Sequence, residues 1–209
     1  MKIAFIGVGN VGFALANNLQ KKGHQIVVAN NNPASESVKN AVDKNPAFTV
    51  KKVQEAVDEA EIVFLATPYQ ANQAALQGNR FNGKTLVDCT NPVGPGISHG
   101  LKSEKSGSEV VQELAPDAKV VKAFTIYGFE NFIDSSFPGY NVKPAMLIAG
   151  NFEEAKTQAS VLIEELGFFA KDTGALSQAL HLEHLTLLWV KMARMGGHHP
   201  NFVWAYLEK

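Results

Sequence analysis

The stretch "KIAFIGVGNVGFALANNLQKKGHQIVVAN", residues 2–30, leaves this 209-residue chain the least freedom in how it folds. A short β-rich apolar run, residues 2–8, meets Gly7, Gly9 and Gly12 in the spacing G-x-G-x-x-G. Val11, Ala14, Leu15 and Leu19 then recur at helical spacing, Gly23 offers a helix stop, and residues 24–29 return to a strand pattern. Strand, glycine turn, helix and second strand within about thirty residues define a βαβ unit. The glycine pattern alone is a weak signal, and this context is what gives it weight. Gly7 allows the tight turn. Gly9, without a Cβ, lets a pyrophosphate approach the backbone. Gly12 lets helix and strand pack closely. The free N–H groups around Asn10 and Val11 then face the phosphates at the helix's positive end.

The rest of the chain repeats the alternation. "EIVFLA" (61–66), "KTLVDC" (84–89), "AKVVKAF" (118–124) and "AMLIAG" (145–150) are short apolar runs with turn residues nearby, as buried parallel strands require. A helical stretch follows from Glu153 to Leu166. The expected class is α/β, a Rossmann-type parallel sheet with helices on both faces and a C-terminal helical extension. The expected division is a dinucleotide-binding domain over 1–174 and an extension over 175–209, packed on that domain or on a second subunit. Within Leu176–Met195 so many positions are apolar that little polar face remains. A homodimer would cover it, and packing against the tail "NFVWAYL" (201–207) is the internal alternative. From Gly94 to Ser108 the chain is rich in glycine and serine, a surface loop or a mobile lid. Ser106 and Glu109 beyond it fit a capping box.

Composition narrows the partners. The formal net charge is -1, so no basic field points to nucleic acid or an anionic membrane. No apolar run approaches a membrane span. Cys89, the one cysteine, excludes a disulfide framework and suits a reducing cytoplasm; within a strand it reads as a plain buried thiol. The expected partner is a small-molecule acceptor.

The cofactor is read at "QIVVANNNPASE" (25–36). An acid at the end of the second strand would accept from the ribose 2′-hydroxyl of NAD and repel a 2′-phosphate. Asn30 stands there, neutral and able to donate, which tilts the choice to NADP. Asn31 stands where an arginine for that phosphate is usual, so NAD stays open. The segments after later strands, "ATPYQ" (66–70), "DCTNPVG" (88–94) and "AFTIYG" (123–128), should line the rest of the site. Pro68 and Pro92 fix tight loops there, and the Asn91 amide is suited to a nicotinamide carboxamide.

These residues carry a family likeness. The N-terminal unit, "ATPY", "VDCTNPVG", "VVKAF" and the late "HLEHLTLLWVKMA" resemble the NADP oxidoreductases dependent on the deazaflavin coenzyme F420, and the related small dinucleotide-binding reductases. The resemblance implies a small, usually dimeric enzyme passing hydride between NADPH and a flavin-like or deazaflavin ring. By position it places Gly7, Gly9, Asn10, Val11 and Gly12 on the pyrophosphate. Asn30 and Asn31 would face the adenosine ribose, and Thr67, Pro68, Asn91 and Pro92 the nicotinamide side. Asn30-Asn31 replaces the family's usual serine-arginine pair, and Thr125-Ile126 its common Asn-Thr.

A flat acceptor asks the protein mainly to stack two rings and exclude water. A ketone acceptor would need a proton donor. His99 and Tyr127 are the side chains to watch, but none is assigned as catalytic. The His198-His199 pair lacks a carboxylate or cysteine cluster, so no metal site is expected. The alternative is a dinucleotide-binding module that senses or sequesters the cofactor without turnover. A membrane ferric reductase's cytosolic half would need a haem-bearing span, and this chain has none.

Overall fold

The computed structural model describes residues 1–209. In chain order the elements are β1 (Lys2–Ile6), α1 (Asn10–Lys21), β2 (Gln25–Ala29), α2 (Glu36–Lys44), β3 (Thr49–Lys51), α3 (Val53–Glu59), β4 (Ile62–Leu65), α4 (Asn72–Leu76) and β5 (Thr85–Asp88). Then come β6 (Val93–Gly94), β7 (Ser98–His99), α5 (Gly107–Leu114), β8 (Lys119–Lys122), α6 (Glu130–Ile133), β9 (Ala145–Gly150), α7 (Glu153–Glu165), β10 (Phe169–Asp172) and α8 (Ala179–Arg194). The eight-stranded sheet has the order β10-β9-β8-β5-β4-β1-β2-β3. From β3 to β8 every pairing is parallel. The order reverses between β1 and β4, which opens a crevice at the carboxyl ends of those strands.

Both faces of the sheet are covered, and the strand period explains how. Ile3 and Phe5 of β1 point into one core with Leu15 and Leu19 of α1. Ala4 and Ile6, the alternate residues, point into the other with Val57 of α3 and Val111 of α5. Residues two apart share a face, so a strand buried on both sides must be apolar throughout.

The structure corrects four expectations. β9 is antiparallel to β8, not parallel, and β10 then runs parallel to β9. The link from β8 to β9 carries only the single-turn α6, without the long crossover helix of a βαβ unit. Two strands of the main sheet, β3 and β10, went unforeseen. They are short edge strands, "TVK" and "FAKD", with charged residues and no buried position.

The third correction concerns α8, which is not apolar all round. Glu183 and Thr186 are buried polar residues on it, while Leu188 is 49% exposed. Trp189 packs internally: its ring stacks on Phe202 at 5.4 Å between centroids and its Nε1–H donates to the Phe202 carbonyl at 3.1 Å. The tail thus supplies part of the cover. Leu182 and Trp189 enter the same core as Phe5.

The fourth concerns the segment read as a surface loop or a mobile lid. β6 and β7 form a small hairpin, and the Ser106–Glu109 capping box is present. His99 Nε2 and the Gly107 N–H both reach the Glu183 carboxylate, at 2.8 and 2.9 Å. The segment is therefore pinned to α8 at His99 and at Gly107, by hydrogen bonds buried from water.

Candidate functional site

The three glycines divide their work as their surroundings dictate. Gly7 has φ +96°, and a Cβ built on it would lie 2.7 Å from the Ala66 carbonyl, so it serves both the turn and the close approach of the β4 end. A Cβ on Gly12 would lie 2.1 Å from the Gly7 oxygen, which leaves no alternative residue for this packing of helix on strand. A Cβ on Gly9 meets nothing within 4 Å. Gly9 faces open space where the chain itself needs no glycine.

Helix α1 opens at that space, at Asn10, Val11 and Gly12, with no side-chain cap. The first N–H groups of a helix have no intrahelical acceptor and carry the positive end of its dipole. By contrast, α5 is closed by its capping box. An open cradle, an uncapped helix end and missing side-chain bulk fit the pyrophosphate of a dinucleotide. A groove of about 410 Å³ continues from Gly9 and Asn10 along α1 to Lys21.

Asn30 and Asn31 follow β2 at the same edge of the crevice. Asn30 Oδ1 accepts from the Asn32 N–H at 2.8 Å, an Asx turn, and its amide lies 3.3 Å from Ser35 Oγ. Asn31 Oδ1 accepts from the Val53 N–H at 3.1 Å, which satisfies the first donor of α3. Both side chains shape the turn, and Asn31 is exposed.

Thr67, Pro68, Asn91 and Pro92 gather at the ends of β4 and β5. Thr67 Oγ1 donates to Asn72 Oδ1 at 2.7 Å, and the Asn72 amide donates to Thr90 Oγ1 at 2.9 Å. Pro68 opens a short turn that brings Tyr69 over Gly107, where an added Cβ would lie 2.9 Å from the Tyr69 ring. Asn91 Oδ1 accepts from Thr125 Oγ1, itself 3.0 Å from Thr186 Oγ1 on α8. Phe124, between β8 and Thr125, adopts φ +52° while buried. A bulky residue in the left-handed region costs about 1–3 kcal/mol and needs enforcement by its surroundings. Here Phe64, Phe132 and Phe168 hold the ring, and the turn delivers Thr125 to Asn91.

Beneath this loop lies a buried ionic cluster that the sequence reading missed. Asp88, Lys122 and Glu183 have side chains no more than 1% exposed. Lys122 Nζ reaches Glu183 Oε1 at 3.0 Å, Asp88 Oδ2 at 3.4 Å and the Thr90 carbonyl. Burial pushes the Lys122 ammonium down, but the charges of Asp88 and Glu183 and their hydrogen bonds outweigh it and hold its pKa above the ordinary value. The signal was in plain view: "TLVDC", "VVKAF" and "LEHLTLLWV" each place a charge inside a largely apolar run.

The watched proton donors are not available. His99 is buried against Glu183. Tyr127 is buried, donates to the Ala145 carbonyl and accepts from the Trp204 N–H at 3.1 Å; burial pushes its phenol well up. Burial also pushes the Cys89 thiol well up, as an inert core thiol requires. His181, His184, His198 and His199 are exposed, and no three His, Cys, Asp or Glu side chains converge as a metal site.

Fold and cradle together define a Rossmann-type unit built around a dinucleotide-binding turn. More particularly, residues 2–92 match the family described as "NADP oxidoreductase coenzyme F420-dependent". The F420-dependent NADP reductase of Methanothermobacter marburgensis is 28% identical over 210 aligned residues, 92% of each chain. The metalloreductase STEAP3 of Rattus norvegicus is 29% identical over 189 residues, 89% of this chain but 36% of that longer protein, so this chain spans about a third of it. A solved structure from Arthrobacter sp. FB24, provisionally named an F420-dependent NADP reductase, superposes with a TM-score of 0.84 at 24% identity, covering 100% of both chains. The resemblance read from the motifs holds across the chain. No helix is long and apolar enough to cross a membrane.

Proposed function

We propose that the chain transfers hydride between NADPH and a flat, flavin-like or deazaflavin acceptor. One observation carries this reading. At the carboxyl ends of β5 and β8 the ionisable side chains Asp88, Cys89, Lys122 and Tyr127 are buried and held by the fold. A site whose buried ionisable groups are all held by the fold suits an acceptor that needs mainly alignment and the exclusion of water. Bound NADPH supplies the hydride, with its two electrons, and leaves as NADP⁺.

The chain's own residues then have binding and orienting roles. The N–H groups of Asn10, Val11 and Gly12 receive the pyrophosphate, with Gly7 and Gly9 giving it room. Asn30 and Asn31 face the adenosine ribose and tolerate a 2′-phosphate without gripping it. Asn91, its Oδ1 engaged by Thr125, presents its amide NH₂ to the carboxamide, between Thr67-Pro68 and Pro92. The testing experiment is NADPH oxidation with free flavins, the deazaflavin, quinones and ferric chelates as acceptors. Turnover with a flavin-type ring supports the reading. Tight NADPH binding with no turnover on any acceptor replaces it with the sensing module.

The homodimer belongs to the same reading. Leu188 is exposed on α8, with Leu185 half-buried one turn before it on the same face. A second copy covering this strip would leave a dimer in light scattering at micromolar concentration; a monomer there counts decisively against it.

A further inference from the structure

The hydrogen-bond directions in the buried cluster fix its charge. Asp88 accepts at every contact: Oδ1 from the Thr90 N–H at 2.9 Å and its hydroxyl at 2.7 Å, Oδ2 from Ser108 Oγ at 2.5 Å and from Lys122. Glu183 also only accepts, from the Gly107 N–H, Lys122 and His99 Nε2. A carboxylate surrounded by donors has no place for a proton. His99 Nδ1 accepts from the Leu101 and Ser103 N–H groups, at 3.3 and 3.2 Å. An imidazole whose Nδ1 accepts and whose Nε2 donates is neutral. With two carboxylates, one ammonium and a neutral imidazole, the cluster carries one net negative charge. The N-terminus of α5, where Gly107 meets Glu183, offsets only about half a unit of it.

That charge lies directly under the loop proposed to line the nicotinamide. Lys122 touches the Thr90 carbonyl, Asp88 precedes Thr90 by two residues, and the Glu183 partner Gly107 packs against both Tyr69 and Pro92. Its field reaches the surface there: burial first, and then the charges of Glu183 and Asp88, push the Tyr69 phenol up against the opposing effect of Lys122.

We infer that the Asp88–Lys122–Glu183 cluster is an electrostatic positioning element that favours the cationic, oxidised nicotinamide over the neutral reduced one. The inference rests on the hydride-transfer reading above. A buried negative charge interacts with the oxidised ring and leaves the reduced ring nearly unaffected, and the low-dielectric surroundings preserve the effect against salt. Favouring the oxidised form makes the bound reduced cofactor a stronger hydride donor, so the cluster drives transfer toward the acceptor.

The test compares dissociation constants for NADP⁺ and NADPH by calorimetry, with thermal unfolding as the check on folding. Glu183→Gln removes the net charge and should weaken NADP⁺ relative to NADPH about tenfold, equivalent to about 30 mV in a two-electron couple. Asp88→Asn, on a different element, should shift the ratio in the same direction and stands in if the first variant does not fold. Ser108→Ala breaks a bond to Asp88 without changing charge, and should move both constants together. Raising the salt should weaken both forms alike in the wild type and leave its ratio unchanged. Equal loss of NADP⁺ and NADPH affinity in both charge-removing variants, or a wild-type ratio that collapses toward unity in salt, overturns the inference. A wild type that binds neither form instead overturns the hydride-transfer reading on which it rests.

Discussion

The two ends of the crevice are built by different means. At the β2 end, proposed to face the adenosine ribose, Asn31 is exposed and Asn30 only half-buried, and their hydrogen bonds run to a turn and a helix start. At the β5 and β8 ends, Asn72, Asp88, Thr90, Lys122, Thr125, Glu183 and Thr186 are all buried and bonded to one another or to the backbone. Buried polar groups are worth most when every member is satisfied, and they fix geometry at the expense of tolerance. Exposed polar turns can change with little effect on the fold. The β2 end, proposed to select the ribose, is therefore adjustable, while the geometry on the other side is locked into the core.

The largest expected effect breaks the locked end. Lys122→Met leaves the Asp88 and Glu183 carboxylates buried without their shared cation. Removing one partner of a buried ion pair costs about 3–5 kcal/mol. For a chain of this size the unfolding midpoint should fall by roughly 10 °C. Thermal and urea unfolding would measure it, and a loss below about 1 kcal/mol would remove the distinction between the two ends.

Next in size is Gly9→Val, which acts between them. Gly9 has φ -68° and ψ -160°, an extended conformation open to any residue, and an added Cβ meets no protein atom. The variant should unfold within about 2 °C of the wild type. NADPH affinity should drop about a hundredfold, roughly 2.7 kcal/mol, because the side chain occupies the phosphate space. Undiminished binding by the folded variant would sink the cradle assignment.

The adjustable end gives a smaller effect with opposite signs. Asn31→Arg should strengthen NADPH binding by about threefold to tenfold through a charge-assisted pair with the 2′-phosphate. It also gives up the bond to the Val53 N–H, about 0.5–1 kcal/mol of stability. Asn30→Asp should keep the Asx turn, since a carboxylate still accepts from the Asn32 N–H, and should turn the preference toward NADH. Dissociation constants for both cofactors would show this. If neither substitution moves their ratio, the asparagines only shape the turn and selection lies elsewhere.

The contrast between the ends also explains what could be read from the sequence. The cradle was legible because its requirements are local: Gly7, Gly9 and Gly12 act through backbone and absent atoms within six residues. The alternating strands were legible because burial on both faces demands unbroken apolar runs. The direction of β9 was not, because apolar runs look alike whichever way they point. Nor was the ionic cluster, whose members Asp88, Lys122 and Glu183 are far apart in sequence and meet only through the β5–β8 pairing and the return of α8. Their mark was a charge in each apolar segment. The reading of α8 passed over Glu183, treating the helix as an apolar surface in need of a partner.

The smallest expected effect belongs to Tyr69, the half-buried hydroxyl beside the locked end. Burial, and then the negative field of Glu183 and Asp88, hold its phenol above the usual value, so it stays protonated throughout the neutral range. It is thus the side chain best placed to serve a carbonyl acceptor, whose developing alkoxide needs a proton. Removing such a donor would lower kcat about a hundredfold or more. A flavin-like acceptor makes no such demand on the protein. Tyr69→Phe keeps the ring against Gly107 and removes only the hydroxyl. With a flavin-type acceptor its kcat should stay within about twofold of the wild type across the neutral range. A hundredfold loss, with NADPH affinity unchanged, would make Tyr69 the proton donor and the acceptor a carbonyl or imine.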